Sequence, residues 1–141
     1  MLQLIYASAA TRNFSHAELI ALLVKARPNN TTLGITGMML YHAGSFIQVL
    51  EGEEGPVKTL FSAIGKDKRH TNVKIIFSDT IDEREFSDWS MGFFNTEDNN
   101  TLPDGFLNYA SEVKARTINK TRAKKVLKMF QEGVWRQKVD R

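Results

Sequence analysis

The chain contains no cysteine. That excludes a disulfide framework and a thiolate metal site, and it leaves no thiol for a thioether link to a cofactor. The three histidines, His16, His42 and His70, are scattered and lack metal-ligand spacing, so no metal is expected. No apolar run approaches the roughly 18 residues of a membrane span. The N-terminal MLQLIYAS lacks the basic region and cleavage pattern of a secretory leader and looks like a strand. A cytoplasmic, soluble protein is the expectation. Hydrolytic and transfer motifs are missing as well. There is no Gly-x-Ser-x-Gly nucleophile, no phosphate loop and no carboxylate–His cluster, so the chain does not read as an enzyme.

What remains is enough for one domain with an extension. The 141 residues are 42% hydrophobic, sufficient for a core. The net charge of +3 is uneven. Residues 1–111 carry 9 basic and 13 acidic side chains, whereas residues 112–141 carry 10 and 3. A mildly acidic domain is followed by a basic tail, and that asymmetry bears on partners rather than on fold.

The chain is organised around residues 32–56. Two apolar runs, 35–41 and 45–50, flank His42, Ala43 and Gly44, the pattern of a hairpin. In its second strand Phe46, Gln48 and Leu50 share one face, while Ile47 and Val49 take the other. Gln48 is the odd residue. A buried amide must satisfy both its oxygen and its NH2, within an internal network or on a ligand.

Before the hairpin, residues 2–8 alternate as a strand with Leu2, Leu4 and Tyr6 on one face. Ser15-x-x-Glu18 is a capping box that opens a helix; Leu19, Ile20 and Leu23 give it an apolar face, and Pro28 is expected to end it. Asn29, Asn30, Thr31 and Thr32 then form a polar connection. After the hairpin, Glu51, Glu53 and Glu54 read as capping charges at the start of a second helix, with Pro56 at its first position. Val57, Leu60, Phe61 and Ile64 fall at helical spacing, and Gly65 is the stop. Residues 73–79 form a fourth strand. Residues 89–94 form a fifth, with Trp89, Met91 and Phe93 on one face. The order β-α-β-β-α-β-β predicts an α+β, ferredoxin-like sandwich of two helices on an antiparallel sheet.

The strands are apolar on both faces, because Ile5, Ile47 and Val49 oppose the helix side. A sheet with one wet face would alternate apolar with polar. A C-terminal helical extension packed on the second face is therefore expected. A short helix fits residues 103–112, and a longer one fits 119–135 with Ala123, Leu127, Phe130 and Val134 in its stripe and Val126 beside them. Lys120, Lys124, Lys125 and Lys128 take the remaining surface. The expected organisation is a domain over 1–95 and a basic helical extension over 96–141.

Tyr6, Gln48, Trp89 and Met91 are predicted to face the helices, with Asn29 and Asn30 nearby. Together they line a slot that suits a flat heteroaromatic ring. The Asn30 carboxamide is complementary to an imide edge. Lys68, Arg69 and His70, after the second helix, are placed to receive phosphates.

These residues carry a resemblance. Tyr6, Asn30, Gly34-Ile35-Thr36-Gly37, Phe46-Ile47-Gln48-Val49-Leu50-Glu51-Gly52, Asp67-Lys68-Arg69-His70 and Trp89-Ser90-Met91 follow the order and spacing of the BLUF family of flavin-based blue-light sensors over residues 1 to about 95. At Asn29 some relatives carry His. The tail resembles the helical extension of stand-alone members, with no effector domain. The resemblance implies a photoreceptor that binds FAD non-covalently, with FMN or riboflavin as other flavin forms. By position, it makes Tyr6 the electron and proton donor and Gln48 the amide that rearranges. It makes Asn30 the holder of the ring's polar edge, with Asn29 beside it, and Phe46, Leu50 and Ile64 its packing. Asp67, Arg69 and His70 serve the ribityl–phosphate end, and Trp89 and Met91 couple the signal to the tail. A separate downstream signalling protein and a homo-oligomer are the partners implied.

Two other classes compete: a ferredoxin-like RNA-binding domain and a ligand-free interaction module. RNA-recognition sheets expose aromatics on the open face. Here Ile5, Ile47 and Val49 are aliphatic, so a nucleic-acid partner is not expected.

Overall fold

The computed structural model describes residues 1–86, 92–95 and 122–133. Strand β1 is Leu2–Ala10, helix α1 is His16–Leu33, β2 is Thr36–His42 and β3 is Ser45–Gly52. Helix α2 is Glu54–Gly65, β4 is His70–Thr80, β5 is Gly92–Asn95 and helix α3 is Arg122–Gln131. The sheet order is β4-β1-β3-β2-β5. In β4, β1, β3 and β2 each strand runs antiparallel to its neighbour, the ferredoxin-like arrangement, with α1 and α2 on one face. β5 joins the edge parallel to β2, which departs from the purely antiparallel sheet expected. Trp89 and Met91 lie outside the described residues, as do residues 103–112 and Val134. Among the described residues no helix is long and apolar enough to cross a membrane.

The hairpin turns more tightly than expected. His42 pairs with Ser45, so only Ala43 and Gly44 form the loop. Both have positive φ, 46° and 88°, the geometry of a two-residue turn that matches strand twist.

Helix α1 starts where the capping box places it. Ser15 Oγ accepts from the Glu18 N–H at 3.2 Å, and Glu18 Oε1 accepts from the Ser15 N–H at 3.1 Å. It does not end at Pro28. The proline deletes one rung, the N–H that would reach the Val24 carbonyl. Val24 is 59% exposed, so that turn of the helix lies at the surface. The helix then runs on, with the Thr31 and Thr32 hydroxyls donating to the carbonyls of Arg27 and Pro28. It closes at Gly34, whose φ of 69° is the left-handed cap that glycine adopts without strain. This places Asn30 on a helical face, four residues after Ala26 and seven after Leu23, rather than in a connecting loop.

The expected capping charges also divide. Glu53 is the N-cap of α2 but makes no side-chain cap bond, and Pro56 sits in the first turn rather than at its first position. Glu54 pairs with Lys58 at 2.8 Å. Glu51 belongs to β3 and is fully buried. Strand alternation sends Glu51 away from the helix start, to the far face of the sheet.

The core has two sides. Tyr6, Phe46 and Leu50 face α1 and α2. Ile5, Ile47 and Val49 point away from them, yet are fully buried. Helix α3 touches β3, and its Ala123, Val126, Leu127 and Phe130 join the same apolar cluster as those three residues. With α1 and α2 on one face, α3 covers the other.

Candidate functional site

Between the two helices and the sheet lies a cavity of about 290 Å³. The sheet contributes Tyr6 from β1, Met39 from β2, and Phe46 and Gln48 from β3. Leu22, Leu23, Ala26 and Asn30 form the α1 wall, one helical face at spacings of one, three and four. Leu60, Ala63 and Ile64 form the α2 wall. Phe14 closes one side, and Asp67, Arg69 and His70 stand where α2 runs into β4.

The polar heart of the wall is a cross-strand pair. Tyr6 stands directly opposite Gln48 in the β1–β3 register, and Tyr6 Oη donates to Gln48 Oε1. On the other side of Tyr6 the β1–β4 register shifts by one residue, a bulge of the kind that re-aims a side chain. Burial raises the Tyr6 phenol well above its ordinary pKa, and the charge of Asp67 adds to the effect. Tyr6 is therefore a neutral donor. Since Gln48 offers its oxygen to Tyr6, its NH2 end is turned away from the phenol.

Aromatic packing fixes these groups. Tyr6 lies 5.4 Å from the Phe61 ring and 6.3 Å from that of His70. Phe46 packs on Tyr41 at 4.9 Å and on Phe14 at 5.9 Å. The Phe14 N–H donates to Tyr41 Oη at 3.2 Å, and the Arg12 guanidinium covers the Phe14 ring at 4.4 Å. His70 bridges two elements. Its Nε2 faces the Ile64 carbonyl at 2.6 Å, so this nitrogen carries a proton, and its Nδ1 lies 2.8 Å from Ser8 Oγ. At the mouth Asp67 and Arg69 form a bidentate ion pair, and the Arg69 N–H donates to Asp67 Oδ1 at 2.9 Å. The bond from Arg69 holds the Asp67 carboxyl below its usual range, and Asp67 in turn raises Arg69.

Eight of the residues singled out in the sequence thus meet at one cavity: Tyr6, Asn30, Phe46, Gln48, Ile64, Asp67, Arg69 and His70. Two others do not line it. Leu50 is buried in the core, and Asn29 is exposed on the outer side of α1. Sequence reasoning missed Phe14, Met39 and the α1 wall of Leu22, Leu23 and Ala26. The wall was hidden by ending the helix at Pro28, since counting back from Asn30 in helical steps reaches Ala26 and Leu22. Met39 follows from the hairpin register, where it pairs with Gln48.

Comparison with known proteins settles the family. A family profile described as "Sensors of blue-light using FAD" matches residues 1–92. The chain belongs to the BLUF family. Among its relatives is the photoactivated adenylate cyclase subunit beta of Euglena longa, 38% identical over 89 residues, which cover 62% of this chain and 10% of that protein. The chain thus spans about a tenth of the length of the curated relatives it matches. Among solved structures, BlrP1 of Klebsiella pneumoniae is similar at 34% identity and a TM-score of 0.77, over 94% of this chain and 33% of that one. BlsA in its photo-activated state is similar at 28% identity and a TM-score of 0.65, over 99% of this chain and 98% of that one. Blue-light sensing through a flavin is the family's function.

Proposed function

We propose that this BLUF domain binds FAD in the cavity between α1 and α2, and that the Tyr6–Gln48 pair is its light-driven relay. The observation that carries this reading is the Tyr6–Gln48 hydrogen bond on the sheet wall of a cavity whose two helical walls are mostly apolar, with Asn30 the polar exception. The cavity fits the group. Its volume of about 290 Å³ is near the lower end of small-molecule sites, roughly 300–1,000 Å³, which suits a ring system with the rest of the cofactor at the mouth. Asn30 is 3% exposed and presents a carboxamide, which is complementary to an imide edge. Leu22, Leu23 and Ala26 would pack on one side of the ring, Leu60 and Ile64 on the other. Arg69 and Asp67 would serve the phosphate end.

A bound flavin supplies blue-light absorption and a photo-oxidant, and the protein supplies placement. Tyr6, kept neutral by burial, holds a proton on Gln48 and is able to release it together with an electron. Gln48 then reorganises, by rotation, tautomerisation or both, exchanging which end donates and which accepts. A carboxylate here would be acceptor-only and unable to make that exchange. The change in hydrogen bonding shifts the spectrum to the red without net chemistry. A local rearrangement of this kind must bias a larger two-state element to become a signal. We assign the sensor to residues 1–95 and the exit to the basic extension, 96–141, toward a separate signalling protein or a second copy of the chain, in the cytoplasm.

The test is direct. Purified protein should be yellow, release its flavin on heating or acid, and show a reversible red shift after blue light. A colourless protein that takes up neither FAD, FMN nor riboflavin overturns the reading.

A further inference from the structure

The cavity uses one face of β1 and β3. The opposite face holds a second cross-strand pair to which the photochemistry assigns no part. Gln3 stands directly opposite Glu51, and Gln3 Nε2 donates to Glu51 Oε2 at 3.0 Å. Glu51 is 0% exposed and does not line the cavity. Its carboxylate grips the chain beyond β4. The Glu85 N–H donates to Oε2 at 2.8 Å and the Phe86 N–H donates to Oε1 at 2.9 Å. Arg84 reinforces this hold, with Nη1 donating to Thr36 Oγ1 at 2.9 Å and to the Glu51 carbonyl at 3.2 Å. Residues 84–86 are thereby fastened to β3 and to its neighbour β2 by four hydrogen bonds.

Two properties suit this contact to carrying a displacement. A carboxylate only accepts, so Glu51 has no alternative way to bond those amides. A buried charge that loses its donors is costly, so the amides and the carboxylate should move together. Gln48 lies three residues before Glu51 on the same strand, and an odd spacing puts the two side chains on opposite faces. A shift of β3 at Gln48 is therefore carried along the strand to the far face of the sheet. On that face it meets the chain that re-enters the sheet as β5, which pairs with β2 from Gly92.

We propose that Glu51 is a positioning residue that ties the chain at residues 84–86 to β3, so that a shift of β3 after the Gln48 rearrangement is handed to the segment leading into β5. This rests on the flavin-sensor reading above. A purely structural Glu51 would protect the same amides equally in darkness and light.

The experiment is hydrogen–deuterium exchange on the full-length flavin-loaded protein, dark and under steady blue light, with the light-minus-dark spectrum recorded on the same samples. In the wild type, illumination should change exchange at the Glu85 and Phe86 amides by about threefold or more. In Glu51→Gln one acceptor oxygen is replaced by an NH2 group. Dark exchange at these amides should rise by roughly tenfold, the light–dark difference there should vanish, and the red shift should persist. A normal wild-type red shift with the same exchange in dark and light at 85–86 overturns the proposal alone. So does a Glu51→Gln protein that keeps the light–dark difference. An absent wild-type red shift overturns the flavin-sensor reading and this proposal with it. The wild-type comparison decides the matter even if Glu51→Gln does not fold.

Discussion

Strands β1 and β3 place a buried glutamine across from a polar partner twice, once on each face of the sheet. On the cavity side the pair is Tyr6 and Gln48; on the far side it is Gln3 and Glu51. The backbone geometry is the same, but the surroundings differ. Tyr6–Gln48 opens on a cavity, both groups are neutral, and the glutamine is able to exchange donor for acceptor. Gln3–Glu51 is closed over by residues 84–86, and the Glu51 carboxylate accepts from three N–H donors. Burial pushes the Glu51 carboxyl upward in pKa and those donors only partly offset it. On the reading proposed above, the first pair rearranges, while the second holds residues 84–86 to β3. The difference lies in what covers each face, not in the strands themselves.

That comparison is broken most severely by uncovering the far face. Deleting residues 112–141 removes Val126, Leu127 and Phe130 from the core, at roughly 1.5–3 kcal/mol for each large apolar side chain. The total rivals the roughly 5–15 kcal/mol that holds a domain together. The truncated protein should aggregate, as read by light scattering and size-exclusion chromatography. A soluble truncation with an unchanged oligomer and light response would exclude the extension from covering the sheet. A smaller break is Ile47→Ala on the same face. It should cost about 2–5 kcal/mol in urea unfolding while leaving the red shift unchanged. A cost near zero would show that this face is loosely packed. Gln3→Leu sharpens the contrast further. It removes one of the three donors to Glu51, should cost about 1 kcal/mol, and should leave the spectrum alone. A lost red shift in Gln3→Leu would mean that the two faces are not separate in function.

The smallest expected effect is at the cavity mouth. Arg69 depresses the Asp67 carboxyl below its ordinary value of 3.8. A depressed carboxylate contributes stability that is present above the unfolded-state pKa and is lost as pH falls through the native one. Carbon-detected NMR should therefore place the Asp67 midpoint below 3.8. Arg69→Gln should bring it back toward that value, and an unshifted midpoint in the intact protein would contradict the ion pair.

Much of the cavity side was legible from sequence because its signals are local. The capping box, the hairpin with its period-two alternation, and the helical spacing of Leu60 and Ile64 each depend on neighbouring residues. The resemblance then named eight of the residues that line the cavity. Pro28 misled because a proline's cost is decided by what happens to the carbonyl one turn back. Val24 faces water, so the helix survives and carries Asn30 with it. Glu51 misled for the opposite reason. Its neighbours in sequence, Glu53 and Glu54, sit at a helix start, while its own partners, Gln3, Glu85 and Phe86, are 34 to 48 residues away. No local pattern marks a carboxylate whose donors are all distant. The need for a cover on Ile5, Ile47 and Val49 was readable from alternation, and α3 supplies it.

The central claim is that the Tyr6–Gln48 pair, and not the cavity alone, makes this BLUF domain respond to light. The most direct measurement is the light-minus-dark absorbance spectrum of flavin-loaded Tyr6→Phe and Gln48→Leu beside the wild type. Tyr6→Phe keeps the ring and removes the phenol proton; Gln48→Leu keeps the volume and removes the amide. Each variant should retain flavin and lose the reversible red shift, while the wild type keeps it. A red shift of normal size in either variant would contradict the account, because light sensing would then proceed without the hydrogen bond on which it is built.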